Sequence, residues 1–176
     1  MGEPSALFAR IAMSRGAYEN WLASPVKFLC DYSDWPQMNP RAASSCEEWS
    51  DTFPRPEYMS VSESLETFAD CSRYFLCEYD DDLGALFIAD AKRLSSMIEI
   101  AVTLASLRNI SSFKDLDEPG FIYVFPVISG GDPEALLRID RGKSTFVNAN
   151  DSSPEILYFA NEAEEFIESL LEDDEN

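Results

Sequence analysis

The run Phe121-Ile122-Tyr123-Val124-Phe125 constrains the fold more than any other stretch of this chain. Five consecutive β-forming residues, apolar at odd and even positions alike, cannot face water on either side, so they define an interior strand. A hairpin is expected after it. Leu136 to Asp140 and Ser144 to Asn148 flank Arg141-Gly142-Lys143 and read as two strands, although Asp132 before Pro133 offers an alternative helix start.

Other segments follow short-range rules. Leu7 to Met13 reads as a strand, and Ser14 caps a helix that carries Tyr18, Trp21 and Leu22 on one face and stops at Pro25. Residues 26–58 are irregular, because Pro36, Pro40, Pro54 and Pro56 interrupt every candidate element. Ser62 is placed to cap a short helix through Leu65, Phe68 and Ala69. Between Arg93 and Asn109, Leu94, Met97, Ile98, Ala101, Leu104 and Ala105 recur at helical spacing, which predicts a central helix. A last helix places Phe159, Ala163, Phe166, Ile167, Leu170 and Leu171 on one face, with Asn161 and Glu164 as a capping pair.

The stretch Cys77-Glu78-Tyr79-Asp80-Asp81-Asp82-Leu83-Gly84 lies between two β-like runs, Tyr74 to Tyr79 and Ala85 to Ala89, and ends in the glycine that a hairpin loop favours. It is not a calcium loop of the EF-hand type. Counted from Asp80, the sixth position is Ala85 and the twelfth Ala91, where glycine and glutamate are required. With no repeat or low-complexity linker, residues 1–176 read as a single α+β domain. The expected architecture is an antiparallel or mixed sheet of about five to six strands packed with about three to four helices, ending in an acidic tail at 172–176.

Composition narrows the function. The 176 residues carry Asp+Glu 33 against Lys+Arg 13, a net charge of −20, while 45% of residues are hydrophobic. A chain this apolar folds around a core, so its charge lies outside. Solubility of a small domain needs a net charge of only about 2 to 8. The excess repels phosphate and anionic lipid and attracts cations, which excludes direct nucleic-acid binding and a membrane as partner. No apolar run approaches the roughly 20 residues of a membrane span, and Glu3 stands where a secretory leader wants a basic residue, so a cytoplasmic protein is expected.

Catalytic and metal signatures are not found. The chain has no histidine, no nucleophile elbow, no phosphate-binding glycine loop and no C-x-x-C pair. Cys30, Cys46, Cys71 and Cys77 are expected as reduced, buried thiols, with Cys71 and Cys77 on one extended segment too long for a disulfide. A non-catalytic protein without cofactor or metal is the resulting expectation.

Acids interleaved with aromatic rings suggest binding instead. Asp31, Tyr32, Asp34 and Trp35 form one such cluster; Glu47, Glu48, Trp49 and Asp51 a second; Glu78, Tyr79, Asp80, Asp81 and Asp82 a third. Interfaces use rings as anchors and charges to steer the encounter. The expected partner is a cationic protein, and the reading requires the carboxylates to be gathered on a preformed surface.

In size, acidity and lack of catalytic motifs, the chain resembles the bacterial immunity proteins of polymorphic and contact-dependent toxin systems. That resemblance implies neutralisation of one cognate toxin or nucleic-acid-directed effector by direct binding. Three further readings are a DNA-mimic inhibitor of a nucleic-acid enzyme, a metal-dependent enzyme using its carboxylates, and an adaptor or scaffold subunit.

Overall fold

The computed structural model describes residues 4–38, 59–94, 96–127, 132–148 and 153–172. Its sheet is built around the first strand. β1 (Ser5–Ala12) pairs antiparallel with both β3 (Ala85–Leu94) and β4 (Gly120–Pro126). β2 (Phe75–Asp80) extends the sheet beyond β3, while β5 (Ala135–Asp140) and β6 (Lys143–Phe146) extend it beyond β4. The order is β2-β3-β1-β4-β5-β6, antiparallel throughout.

Alternation along β1 sends its side chains into two cores. Leu7, Ala9 and Ile11 join the larger one. It is covered by α1 (Arg15–Leu22), α2 (Trp35–Met38), α3 (Val61–Cys71) and α4 (Met97–Arg108). Ala6 and Phe8 point the other way, beneath α5 (Pro154–Glu172). There Phe8 lies 5.5 Å from Phe159 and 5.0 Å from Phe166, and Phe121 lies 5.2 Å from Phe159. Each such ring pair adds about 0.5–1.5 kcal/mol beyond its buried area. The result is a single α+β domain, one antiparallel sheet of six strands with five helices among the described residues, helical layers lying on both faces.

The interior strand, both hairpins and the Ser14 cap are found, and 136–140 and 144–148 do form strands and not a helix from Pro133, although the second runs Lys143–Phe146 and stops two residues short of Asn148. In the second hairpin the strands close on a two-residue turn, Arg141-Gly142, in which Gly142 has φ 75°, a conformation costly for any residue with a Cβ.

Six expectations need correction. Residues 26–38 of the proline-rich region are not irregular throughout: Leu29–Asp31 forms a 3-10 turn and α2 holds Pro36 in its first turn, where a missing N–H breaks no helical bond, while residues 39–58 lie outside the described residues. The N-cap of α3 is Ser60, not Ser62. Ser60 Oγ accepts from the Glu63 N–H at 3.2 Å, and Glu63 Oε2 accepts from the Ser60 N–H at 2.7 Å, a reciprocal box that starts the helix two residues earlier. The central helix begins at Met97 under a Ser96 cap, because β3 runs on to Leu94 to pair with Ser5. Asn161 and Glu164 lie inside α5, which starts at Pro154, whose fixed φ suits a first helical position. Cys71 ends α3 while Cys77 lies in β2, so they do not share an extended segment. Finally, Cys30 and Cys71 are exposed free thiols; of the three described cysteines only Cys77 is largely enclosed, and burial pushes its thiol up to about 12. Cys46 lies outside the described residues.

Ser60→Ala removes one half of the α3 box. We expect a loss of about 1 kcal/mol in urea unfolding with no change in m-value. A loss below about 0.3 kcal/mol would show that the box is redundant.

Candidate functional site: an acidic rim at one end of the sheet

The first acidic-aromatic cluster belongs to the packing of the fold. Trp35 is 0% exposed and donates from Nε1 to the Leu29 carbonyl at 2.9 Å. Asp34 receives two hydrogen bonds from Arg108, Nη1 at 2.8 Å and Nη2 at 2.7 Å. The Arg108 side chain is only 2% exposed and lies against three rings, 4.2 Å from the Tyr32 centroid, 5.3 Å from Trp35 and 4.9 Å from Phe146. Asp31 accepts from the Phe28 N–H at 2.7 Å and caps the 3-10 turn Leu29–Asp31. These groups clasp the chain after α1 to the end of α4 and to β6, and Asp34 and Trp35 are committed there. Glu47, Glu48, Trp49 and Asp51 lie outside the described residues.

The third cluster is divided in its roles. Tyr79 stacks on Tyr18 with centroids 5.2 Å apart, and its hydroxyl donates to the Met13 carbonyl at 2.8 Å. Asp80 Oδ1 accepts from the Asp82 and Leu83 N–H groups at 2.8 and 2.9 Å, shaping the hairpin loop. Gly84, at φ 60°, completes it. Glu78, Asp81 and Asp82 are exposed. Asp81 pairs with Arg15, whose Nε donates to it at 2.6 Å, and that bond holds the carboxyl below its ordinary range. Leu83, 68% exposed, stands at the loop tip beside Asp82.

Hydrogen bonds join this hairpin to segments distant in sequence. The Met13 N–H donates to the Gly84 carbonyl at 3.1 Å, and the next N–H, Ser14, donates to Asp115 Oδ1 at 2.9 Å. Asp115 opens the loop Asp115-Leu116-Asp117-Glu118 that leads into β4. The Ser14 bonds hold its carboxyl below the ordinary range. Glu118 lies 3.6 Å from Arg10 Nη2, and Arg10 Nη1 donates to both Glu162 oxygens at 2.9 and 3.0 Å. Tyr158, one turn before Glu162, is 67% exposed.

The β2–β3 loop, the loop before β4 and the first turns of α5 therefore form one continuous rim. From β2 to β4 it spans three inter-strand spacings, about 14 Å. Among the described residues four large hydrophobic side chains are exposed, and three of them, Leu83, Leu116 at 42% and Tyr158, lie on this rim. Asp82 and Asp117, also on it, make no ion pair with any described residue. The other described cluster, around Arg108, contacts β6 at the far edge of the sheet, so it does not share this surface.

Sequence reasoning found Asp81 and Asp82 but missed Asp115, Leu116, Asp117, Glu118 and Tyr158. A local signal existed for the loop, three acids around a leucine just before Pro119-Gly120. Among the described residues no group of three or more His, Cys, Asp or Glu is placed to hold a metal ion, and no helix is long and apolar enough to cross a membrane. No protein-family model, curated protein or solved structure matches the chain.

The depressed carboxyls set an acid limit. A group whose folded pKa lies below its unfolded value contributes stability above the unfolded value, about 3.9 for Asp, and loses it as pH falls through the folded one. Asp81 and Asp115 are both of this kind. Urea midpoints should be insensitive to these two groups from about pH 7 to 5 and should fall below about pH 4. The fall should be shallower in Asp115→Asn. An identical acid slope in that variant would remove the Ser14–Asp115 contact from the explanation.

Proposed function

We propose that this protein is a non-catalytic binding protein of the immunity-protein kind, which neutralises a cationic toxin or nucleic-acid-directed effector by docking on it through the acidic rim. The observation that carries this reading is the placement of Leu83, Leu116 and Tyr158 among Asp82, Asp117 and Glu118 on one continuous edge. Apolar side chains that water could reach supply contact area and anchors, and the carboxylates around them steer a basic partner and reject acidic ones. A protein that needed acidity only for solubility would have no use for exposed leucines at its most acidic loops.

The rim is rigid where it meets the sheet, since all three of its segments are tied to β1 or to the two residues after it. A preformed surface limits the ordering cost of association. Exposed free thiols at Cys30 and Cys71 fit a reducing compartment, and we assign the protein to the cytoplasm on that basis.

The test is functional. A basic protein captured from the native host is expressed with and without this protein. Growth arrest by the partner alone, relieved by the wild-type chain and not by Leu83→Asp/Tyr158→Ala, is the expected result. A partner equally harmful in the presence of the wild-type chain contradicts neutralisation.

A further inference from the structure

A cleft of about 190 Å³ opens within the rim, between β1, the loop before β4 and α5. Phe121 and Phe159 floor it, with Tyr158 at its edge, and three carboxylates, Glu118, Glu155 and Glu162, surround it. One guanidinium is already inside. Arg10 reaches up from β1 and is held closely by Glu162, with both oxygens within 3.0 Å of Nη1. Its distance to Glu118 is longer, 3.6 Å, and Glu155 stands equally far, 3.6 Å, from Arg138 Nη1; Glu118 and Glu155 keep 63% and 51% of their side-chain surface exposed, so neither is enclosed by its arginine.

We infer that this cleft receives an arginine side chain of the partner, stacked on Tyr158 and held by Glu118 and Glu155. Three features select that group. The cleft's three carboxylates outnumber the two guanidiniums beside them, Arg10 and, outside the lining, Arg138 next to Glu155, so the net charge stays negative and an anion is disfavoured. Its aromatic walls favour a flat, weakly hydrated cation over a compact ammonium. The Arg10–Glu162 pair shows that a guanidinium and these carboxylates can be accommodated here in bonding geometry. Arg10 then acts as an internal competitor that weakens binding of the incoming side chain. The identity of the protein that supplies the arginine rests on the proposed function; the chemistry of the cleft does not.

Acetyl-arginine amide is a probe that needs no partner. Titrated into the ¹⁵N-labelled protein, it should shift the Glu118, Phe121 and Tyr158 amides along one saturable curve, and acetyl-lysine methylamide should bind there more weakly. Glu118→Gln/Glu155→Gln should raise the dissociation constant about fivefold or more, the equivalent of about 1 kcal/mol. Arg10→Gln should lower it, and Asp70→Asn, on α3 across the sheet, should leave it within about twofold. Shifts spread over all acidic surfaces without saturation, or a double variant that binds like the wild type, overturn the cleft. If the probe fails while rim-dependent neutralisation survives, the cleft alone is wrong; if the probe binds and no partner is neutralised, the cleft stands and the proposed function falls.

Discussion

Asp34→Ala is expected to remove about 3 kcal/mol or more of folding stability, a large share of the roughly 5–15 kcal/mol a domain possesses. The substitution leaves Arg108 charged inside the protein with three ring faces and two Ser144 oxygens, at 3.0 and 3.3 Å, but no counter-ion among the described residues. Ring faces and neutral oxygens do not replace a carboxylate that took two guanidinium hydrogens. At about 2–4 °C per kcal/mol for a chain of this size, the melting temperature should fall by about 6–12 °C. The double variant Asp34→Ala/Arg108→Met should recover more than half of the loss, because it leaves no buried charge and a methionine can fill the site between the rings. Urea unfolding of the three proteins decides the matter. A single variant within about 1 kcal/mol of wild type would mean that water reaches Arg108 and screens it.

Neutralising the rim is expected to have the second large effect, on the rate of partner association. Asp82→Asn/Asp117→Asn/Glu118→Gln removes three charges from a rim about 14 Å across, about half of the roughly 30 Å Debye length at 0.01 M salt. Their fields therefore act together on an approaching cation. Association with the cationic partner should slow about tenfold or more at low salt, with a much smaller change in dissociation. Neutralising Glu66, Asp70 and Glu172, three exposed acids elsewhere, changes net charge by the same amount and should change the rate by less than about threefold. The apolar anchors should behave in the opposite way. Leu83→Ala/Tyr158→Ala should raise the dissociation rate by about tenfold or more while leaving association nearly unchanged. Equal slowing by both charge sets would assign the attraction to net charge and not to the rim.

What the sequence disclosed was local. Phe121 to Phe125 declared an interior strand because its apolar character is continuous, and the Asp-rich loop declared a hairpin because Gly84 follows it between two β-runs. The α5 stripe appeared at period 3.6. Ser60 was also readable, since Glu63 three residues on completes a capping pattern, but Ser62 competed with it. Other features depend on contacts that no local window contains. β3 continues through Lys92 to Leu94 because Ser5 pairs there, some 90 residues earlier in the chain. Asp34 looks like a surface acid until Arg108, 74 residues away, is seen to bind it. The rim is assembled from three separated segments brought together by β1, so its members could be read singly but not as one surface. Long-range pairing of this kind decides which of the many acids matter.

The most direct test of the central claim is a hydrogen-exchange footprint of this protein bound to the basic partner we propose for it. The account predicts that amides of the β2–β3 loop around Leu83, of Asp115 to Glu118 and of the first two turns of α5 become protected together, while α3 exchanges as in the free protein. Protection centred on α3 or on the Arg108 region, with the rim unchanged, would contradict it.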